Sequence, residues 1–395
     1  TIENRLAKTQ KQAVVGGDKQ AKRAVDQRGY SIMTKTKRKG LSHRERMAMA
    51  QTTAGISFWV DLRKGRLSRY TIQKRVKKAI ALLFRYIILI SLGFVILTPL
   101  LKLAKDALTD PSALASKSSV WIPQKVSTIF FEMSMTKAVL NYWPSLCYTL
   151  ATTTVLTFFQ VLSTGLAAYS FARLNKGKMK IVSKILFAMV IFTIVVPSDC
   201  IMLAQFSTFR SFDLFGIIRA LTGSGINMTK NMASMLVLAA TGMGVKSGLY
   251  IYILRQGIRG LPYSIEEAAF VDGAGFLRTF FQIVVPSASG SILTVSVLSF
   301  LWNYTDVYYN SLLNQNTLQL AYNYHQLQGN IRWPIGNAAK MHAVWLNLIN
   351  EENPYVQNAS ISACALLVVL PLLILYCFVQ KRFVQGAARS GLGGD

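Results

Sequence analysis

Ser264–Pro286 reads SIEEAAFVDGAGFLRTFFQIVVP and lies between two long apolar segments. Its residue types read as short helical structure rather than as covalent chemistry. Ile265, Ala268, Ala269 and Phe270 recur at spacings of three and four, so they can share one face of a short helix. Glu266 and Glu267 in its first turn suit the positive end of a helix. Asp272-Gly273-Ala274 and Gly275 interrupt the helix, and the glycines allow a turn. Leu277, Phe280, Phe281 and Val284 then form a second apolar stripe, stopped by Pro286. On these grounds alone, a helix, a turn and a helix would serve to cap a helical hairpin.

A second group of chemically able residues lies inside apolar segments. Asp199, Lys246 and Asp306 are ionisable, and such groups in a bilayer usually face a partner or a wet cavity. Helix rise places Lys246 about 20 Å above Arg259, Asp199 about 22 Å above Lys184 and Asp306 about 28 Å above Pro286. An ion pair between Lys246 and Asp199, a role on a solute path and exposure at the membrane surface all stay open. Trp302-Asn303-Tyr304-Thr305-Asp306-Val307-Tyr308-Tyr309-Asn310 mixes rings with amides and a carboxylate. Rings stack on the CH faces of sugars, and amides and carboxylates bond their hydroxyls. Asn303 and Asp306, three apart, would share a helix face. Trp302, Tyr308 and Tyr309 fit a pore mouth or an aromatic belt at the outer interface.

The elements that must position these residues are membrane helices. The chain of 395 residues is 52% hydrophobic and only 15% charged, with mean hydropathy +0.33. Soluble domains carry about 25% charge. Six apolar segments, near 80–104, 146–172, 182–205, 232–257, 287–311 and 358–380, each approach the roughly 20 residues a bilayer requires. The net charge of +27 is uneven, with 21 Lys and Arg against 5 Asp and Glu in residues 1–80. The positive-inside rule and anionic lipid account for that excess, so no nucleic-acid partner is expected. Arg173, Lys176, Lys178, Lys180 and Lys184 form a second basic loop, free of acids. With the basic arm, it puts both termini and Ser264–Pro286 in the cytoplasm. The expectation is an all-α integral membrane protein with six transmembrane helices. Its parts are a basic arm at 1–78, a first span and outer loop at 79–145, a core at 146–380 containing the loop 262–286, and a tail at 381–395.

Within the arm, Leu41–Gln51 reads as a capped helix, and Ile56–Val60 as a membrane foot or part of a disordered arm. The aromatic-rich loop 312–357 reads as a docking surface or a packed outer cap. Cys147, Cys200, Cys364 and Cys377 lack metal or disulfide spacing, and His43, His325 and His342 are scattered, so no metal site is expected. There is no GxxxxGK[ST], GxSxG or HExxH, so neither nucleotide binding by a P-loop nor hydrolase chemistry is expected on this chain. No internal repeat and no carboxylate near a span centre argue against an ion-coupled secondary transporter.

The loop as a whole, EAA followed by Asp-Gly-Ala and Ile-x-x-Pro, resembles the cytoplasmic loop of ABC-importer permeases. Ala167–Arg173 (AAYSFAR) is similar to the end of the second core helix in carbohydrate permeases. Tyr250–Gln256 with Leu261-Pro262, the Trp302–Asp306 region and Gln380–Gly386 (QKRFVQG) add to the likeness. Similarity covers roughly 80–390 and is nearest the second, maltose-permease-like subunit of oligosaccharide importers; the long arm departs from it. The resemblance implies a non-catalytic permease of the bacterial plasma membrane. It implies a second permease, two ATPase subunits that hold ATP and Mg, an extracellular substrate-binding protein and a sugar substrate. It implies that Glu266, Glu267, Ala268, Ala269, Asp272, Gly273, Ala274 and Pro286 couple to the ATPase. On the same basis Glu267 pairs with the ATPase surface. Trp302, Asn303, Asp306, Tyr308, Tyr309, Lys246 and Asp199 are the candidates for the substrate path.

Overall fold

The computed structural model describes residues 69–114, 121–174, 179–213, 216–315 and 317–392. The arm helix Leu41–Gln51, the patch Ile56–Val60 and Lys176 and Lys178 lie outside the described residues. The chain divides into two compact units, Thr1–Val95 and Ile96–Asp395. In the first, the described part is helical. Helix α1 starts there and runs Arg69–Ala107, beginning ten residues before the expected span boundary at 79. Ile87, Ile90 and Val95 are each more than half exposed, and every residue from Val76 to Leu92 is exposed. An apolar helix with no polar face belongs in lipid.

In the second unit, α2 (Ile129–Met135) precedes α3 (Tyr142–Arg173), a core helix of 32 residues. Helix α3 is inside-out by the standards of a soluble protein. Its buried stripe holds Ser145, Thr149, Thr153, Thr157, Gln160 and Thr164, while Val155 and Phe158 are exposed. Small hydroxyl residues let helices approach closely in a membrane, and their Oγ atoms bond the preceding turn. Thr149, for example, donates to the carbonyl of Ser145 at 2.6 Å.

The chain continues through α4 (Met179–Val195), α5 (Ser198–Arg210), α6 (Ile217–Thr222), α7 (Ala233–Ala240) and α8 (Ser247–Arg259). Then come α9 (Ser264–Val271), α10 (Phe276–Thr279), a π-helical turn at Phe280–Val284, α11 (Val285–Ser287) and α12 (Ser289–Thr305). The outer segment holds α13 (Tyr308–Leu313), α14 (Leu320–Gly329), α15 (Arg332–Lys340) and α16 (Ala343–Leu348). Helix α17, Pro354–Leu392, closes the described chain.

The six segments expected from the sequence are not six straight helices. Among the described residues, three helices are long and apolar enough to cross a membrane unaided, at Val76–Ala107, Tyr142–Arg173 and Pro354–Lys381. The segment 182–205 breaks at Val196-Pro197, where Pro197 is extended at ψ 136° and caps α5. The segment near 287–311 ends at Thr305, and its helix meets the one before it at an 86° bend. The segment 232–257 splits into α7 and α8 of 8 and 13 residues, neither of which spans a bilayer alone. Gly242 and Lys246 in that break have φ of +72° and +58°.

Helix α17 carries Pro371 without a break in the helix. Proline has no N–H for the carbonyl four residues back, here Leu367. The Tyr142 hydroxyl donates to that carbonyl at 3.4 Å, and Tyr304 donates to the adjacent Val368 carbonyl at 2.8 Å. Two buried tyrosines thus complete the hydrogen bonding of a proline-bearing helix inside an apolar cluster, as backbone in a membrane requires.

Candidate coupling loop and polar hub

Helix α9 ends in a Schellman motif. The N–H of Ala274 bonds the Ala269 carbonyl at 2.9 Å, and that of Gly273 bonds Phe270 at 3.1 Å. Gly273 sits at φ +82°, the left-handed conformation this cap demands and glycine supplies without steric cost. This is the local reason for the Asp-Gly-Ala run. Pro286 does not stop a stripe as expected. It lies in the first turn of α11, where its missing N–H is harmless, and Ala288 follows with ψ 14° at the bend.

The apolar face expected on α9 is rearranged. Glu266 and Ala269 are its buried positions, whereas Ile265, Glu267, Ala268 and Phe270 are exposed. The cause is an ion pair. Arg173, at the end of α3, donates to Glu266 Oε1 from Nε at 2.8 Å, and the Tyr169 hydroxyl donates to Oε2 at 3.0 Å. Arg173 Nη2 also reaches the carbonyls of Ile258 at 3.2 Å and Leu261 at 3.3 Å, closing the end of α8. The Tyr169 ring lies 5.0 Å from Phe276 and 5.5 Å from Phe280. Two residues one turn apart on α3 therefore grip α8, α9 and the second helix of the loop together. Tyr169 and Arg173 were legible only as part of a motif; their role was not. With Glu266 turned inward, the outward surface is Glu267, Ala268, Asp272, Val271, Leu277 and Phe281, with Val271 86% exposed.

Deeper in the membrane region, Gln160 of α3 is 1% exposed and makes four hydrogen bonds. Its Nε2 donates to the Val245 carbonyl at 2.6 Å and to Ser247 Oγ at 3.0 Å. Its Oε1 accepts from Ser299 Oγ at 2.8 Å and Asn303 Nδ2 at 3.0 Å. One side chain thus ties α3 to α12 and to the break between α7 and α8. Gly244 is pressed against it, since a Cβ there would lie 2.9 Å from Nε2. A lone glutamine gives no periodic signal, and the sequence alone did not single it out.

Asn303 is accordingly buried at 4% exposure and committed to Gln160 and Ser299. Asp306 does not share its helix face, because α12 ends at Thr305. The Asp306 carboxylate instead accepts from the backbone N–H of Tyr309 at 3.4 Å and of Asn310 at 3.2 Å, capping the first turn of α13. Lys246 forms no ion pair with it; its Nζ lies 5.1 Å from the centroid of the Trp302 ring. Trp302 and Tyr308 are exposed, and Tyr309 is buried against α5 and α7. The side chain of Asp199 lies outside the described residues.

Residues 163–389, more than half of the chain, match the model of the binding-protein-dependent transport system inner membrane component family. The chain belongs to that family. The maltodextrin transport system permease protein of Streptococcus pneumoniae is 24% identical over 80% of this chain and 97% of its own length. The melibiose/raffinose/stachyose import permease protein of Bacillus subtilis is 26% identical over 72% and 88%. A chain in the crystal structure of a bacterial ABC transporter that imports the acidic polysaccharide alginate aligns with TM-score 0.52 and 18% identity. That alignment covers 80% of this chain and 99% of the other, and supports the fold. The family member described here is an all-helical, multi-pass membrane permease, with the clamped loop inside the matched region.

Proposed function

We propose that this permease forms the translocation path for an oligosaccharide in an ATP-driven importer of the bacterial plasma membrane. The observation that carries the reading is the clamped loop, whose outward face of Glu267, Asp272 and exposed apolar side chains is fixed to the membrane core through Glu266 and Arg173. A knob held this firmly transmits movement of a partner cleft to α3 and α8 as a rigid body. The partners are two ATPase subunits that bind ATP and Mg, a second permease and an extracellular binding protein. The relatives named for maltodextrin and for melibiose, raffinose and stachyose support the sugar class. The six spans are α1, α3, the pairs α4–α5 and α7–α8, α12 and α17, with both termini cytoplasmic. ATP binding closes the ATPase pair, the loops ride with it, and the helices rock from inward-open to outward-open to take sugar from the binding protein.

The test is sugar-stimulated ATP hydrolysis by the assembled importer. Glu267→Lys and Gly273→Pro abolish stimulation while the permease remains inserted and co-purifies with the second permease. Normal coupled transport by both variants contradicts the reading.

A further inference from the structure

The polarity of the outer site is the reverse of what its residue list implies. Of its two charged side chains with described positions, Asp306 has both carboxylate oxygens engaged by backbone N–H groups of α13. Lys246 is exposed, and the four ion pairs among the described residues involve other side chains. The charge on offer is positive.

Its setting is a built one. Lys246 ends the non-helical stretch between α7 and α8, at φ +58°. Unwound backbone at membrane depth persists where it is buried in protein or lines a water-filled cavity, and broken helices frame substrate sites in transporters. The residues on either side of Lys246, Val245 and Ser247, are held by Gln160. Gln160 also holds Asn303, the neighbour of Trp302. One polar hub therefore holds the neighbours of both the lysine and the indole. The ammonium rests 5.1 Å from the ring centroid, and Trp302 is 44% exposed.

We propose that Lys246 and Trp302 form a subsite for the carboxylate-bearing sugar of an acidic oligosaccharide, an assignment that rests on the oligosaccharide reading above. A sugar ring stacks on the indole, and its carboxylate takes the ammonium that the ring holds in the empty state. A charge-assisted hydrogen bond outweighs an exposed cation–π contact. A neutral sugar must move the ammonium off the ring and gives it no anion in return.

The test uses the assembled importer with its binding protein in phosphatidylcholine vesicles, with and without phosphatidylglycerol. Uptake is compared for trimers of galacturonate, glucuronate and mannuronate and for the same trimers with their carboxylates reduced to alcohols. The wild type favours at least one acidic trimer over its reduced form by about tenfold, the scale of one hydrogen bond to a charged group. Lys246→Gln, which removes the charge, is one atom shorter and adds no new backbone strain, brings that ratio to within about twofold of unity; Lys246→Arg preserves a preference for the acid. A preference for the reduced trimers, or an acid preference untouched by Lys246→Gln, overturns the subsite and leaves the oligosaccharide reading standing. Equal loss of both uptakes that follows the phosphatidylglycerol content assigns the lysine to a lipid headgroup, and also overturns it. Uptake of no trimer from either set contradicts the oligosaccharide reading itself.

Discussion

At the scale of single residues, burial decides which polar groups matter. Arg173 and Glu266 form an ion pair with side-chain exposures of 17% and 2%. Removing one partner of a buried pair leaves an uncompensated charge and costs about 3–5 kcal/mol. Arg173→Ala therefore lowers the thermal stability of the purified permease, and Arg173→Glu combined with Glu266→Arg recovers part of the loss. Equal melting temperatures for Arg173→Ala and wild type would show that the clamp contributes nothing. Gln160→Leu strands the polar groups of Ser299, Asn303 and Val245, at about 1–3 kcal/mol for each buried group left unsatisfied. Its melting temperature in detergent falls more than that of Thr154→Val on an exposed turn of the same helix. Such roles were only partly legible in the sequence. Glu266 and Glu267 are adjacent and chemically identical, and only the position of Arg173 separates the inward anchor from the outward contact. Asp306 was misread because a spacing of three implies a shared face only while the helix continues. Here the carboxylate itself competes for the backbone of the next turn and helps end the helix.

Among the elements, the loop was the most legible, because its geometry follows from local chemistry. The Schellman cap needs a left-handed residue, and Asp272-Gly273-Ala274 supplies it. No atom stands within 4 Å of a Cβ built on Gly273, so Gly273→Ala pays only the backbone penalty of about 1–2 kcal/mol. It weakens coupled ATP hydrolysis less than Gly273→Pro, whose ring locks φ near −65° and cannot make the turn. Equal activity in the two variants would show that the cap is not needed. The broken spans were illegible for the opposite reason. Hydropathy averages over a window, and the short break at Thr241–Lys246 is outweighed by the strongly apolar run of α7 before it. Pro197 in VVPSD marks a helix end, but an apolar run crosses it, and hydropathy alone counts one span.

For the whole molecule, topology rests on charge asymmetry, which hydropathy and the positive-inside rule make readable without coordinates. The inside-out polarity of α3 could not be read that way, since a stripe of threonines has no preferred environment until its neighbours are known. In a cysteine-depleted background, cysteines at Lys180 and Ser264 react with an impermeant reagent only from the cytoplasmic side. One at Asn330 reacts only from outside. Labelling of Lys180 from outside would overturn the six-span arrangement.

Ser264–Pro286 is proposed as the surface through which an ATPase subunit moves this permease. A photo-cross-linking residue at Val271, the most exposed large apolar side chain of α9, tests it directly in the assembled importer. Val271 cross-links to the ATPase subunit, more strongly with ATP bound than without nucleotide, and Ala269, which faces inward at 7% exposure, gives no cross-link. Cross-linking of Val271 to lipid or to the second permease alone, in every nucleotide state, would contradict it.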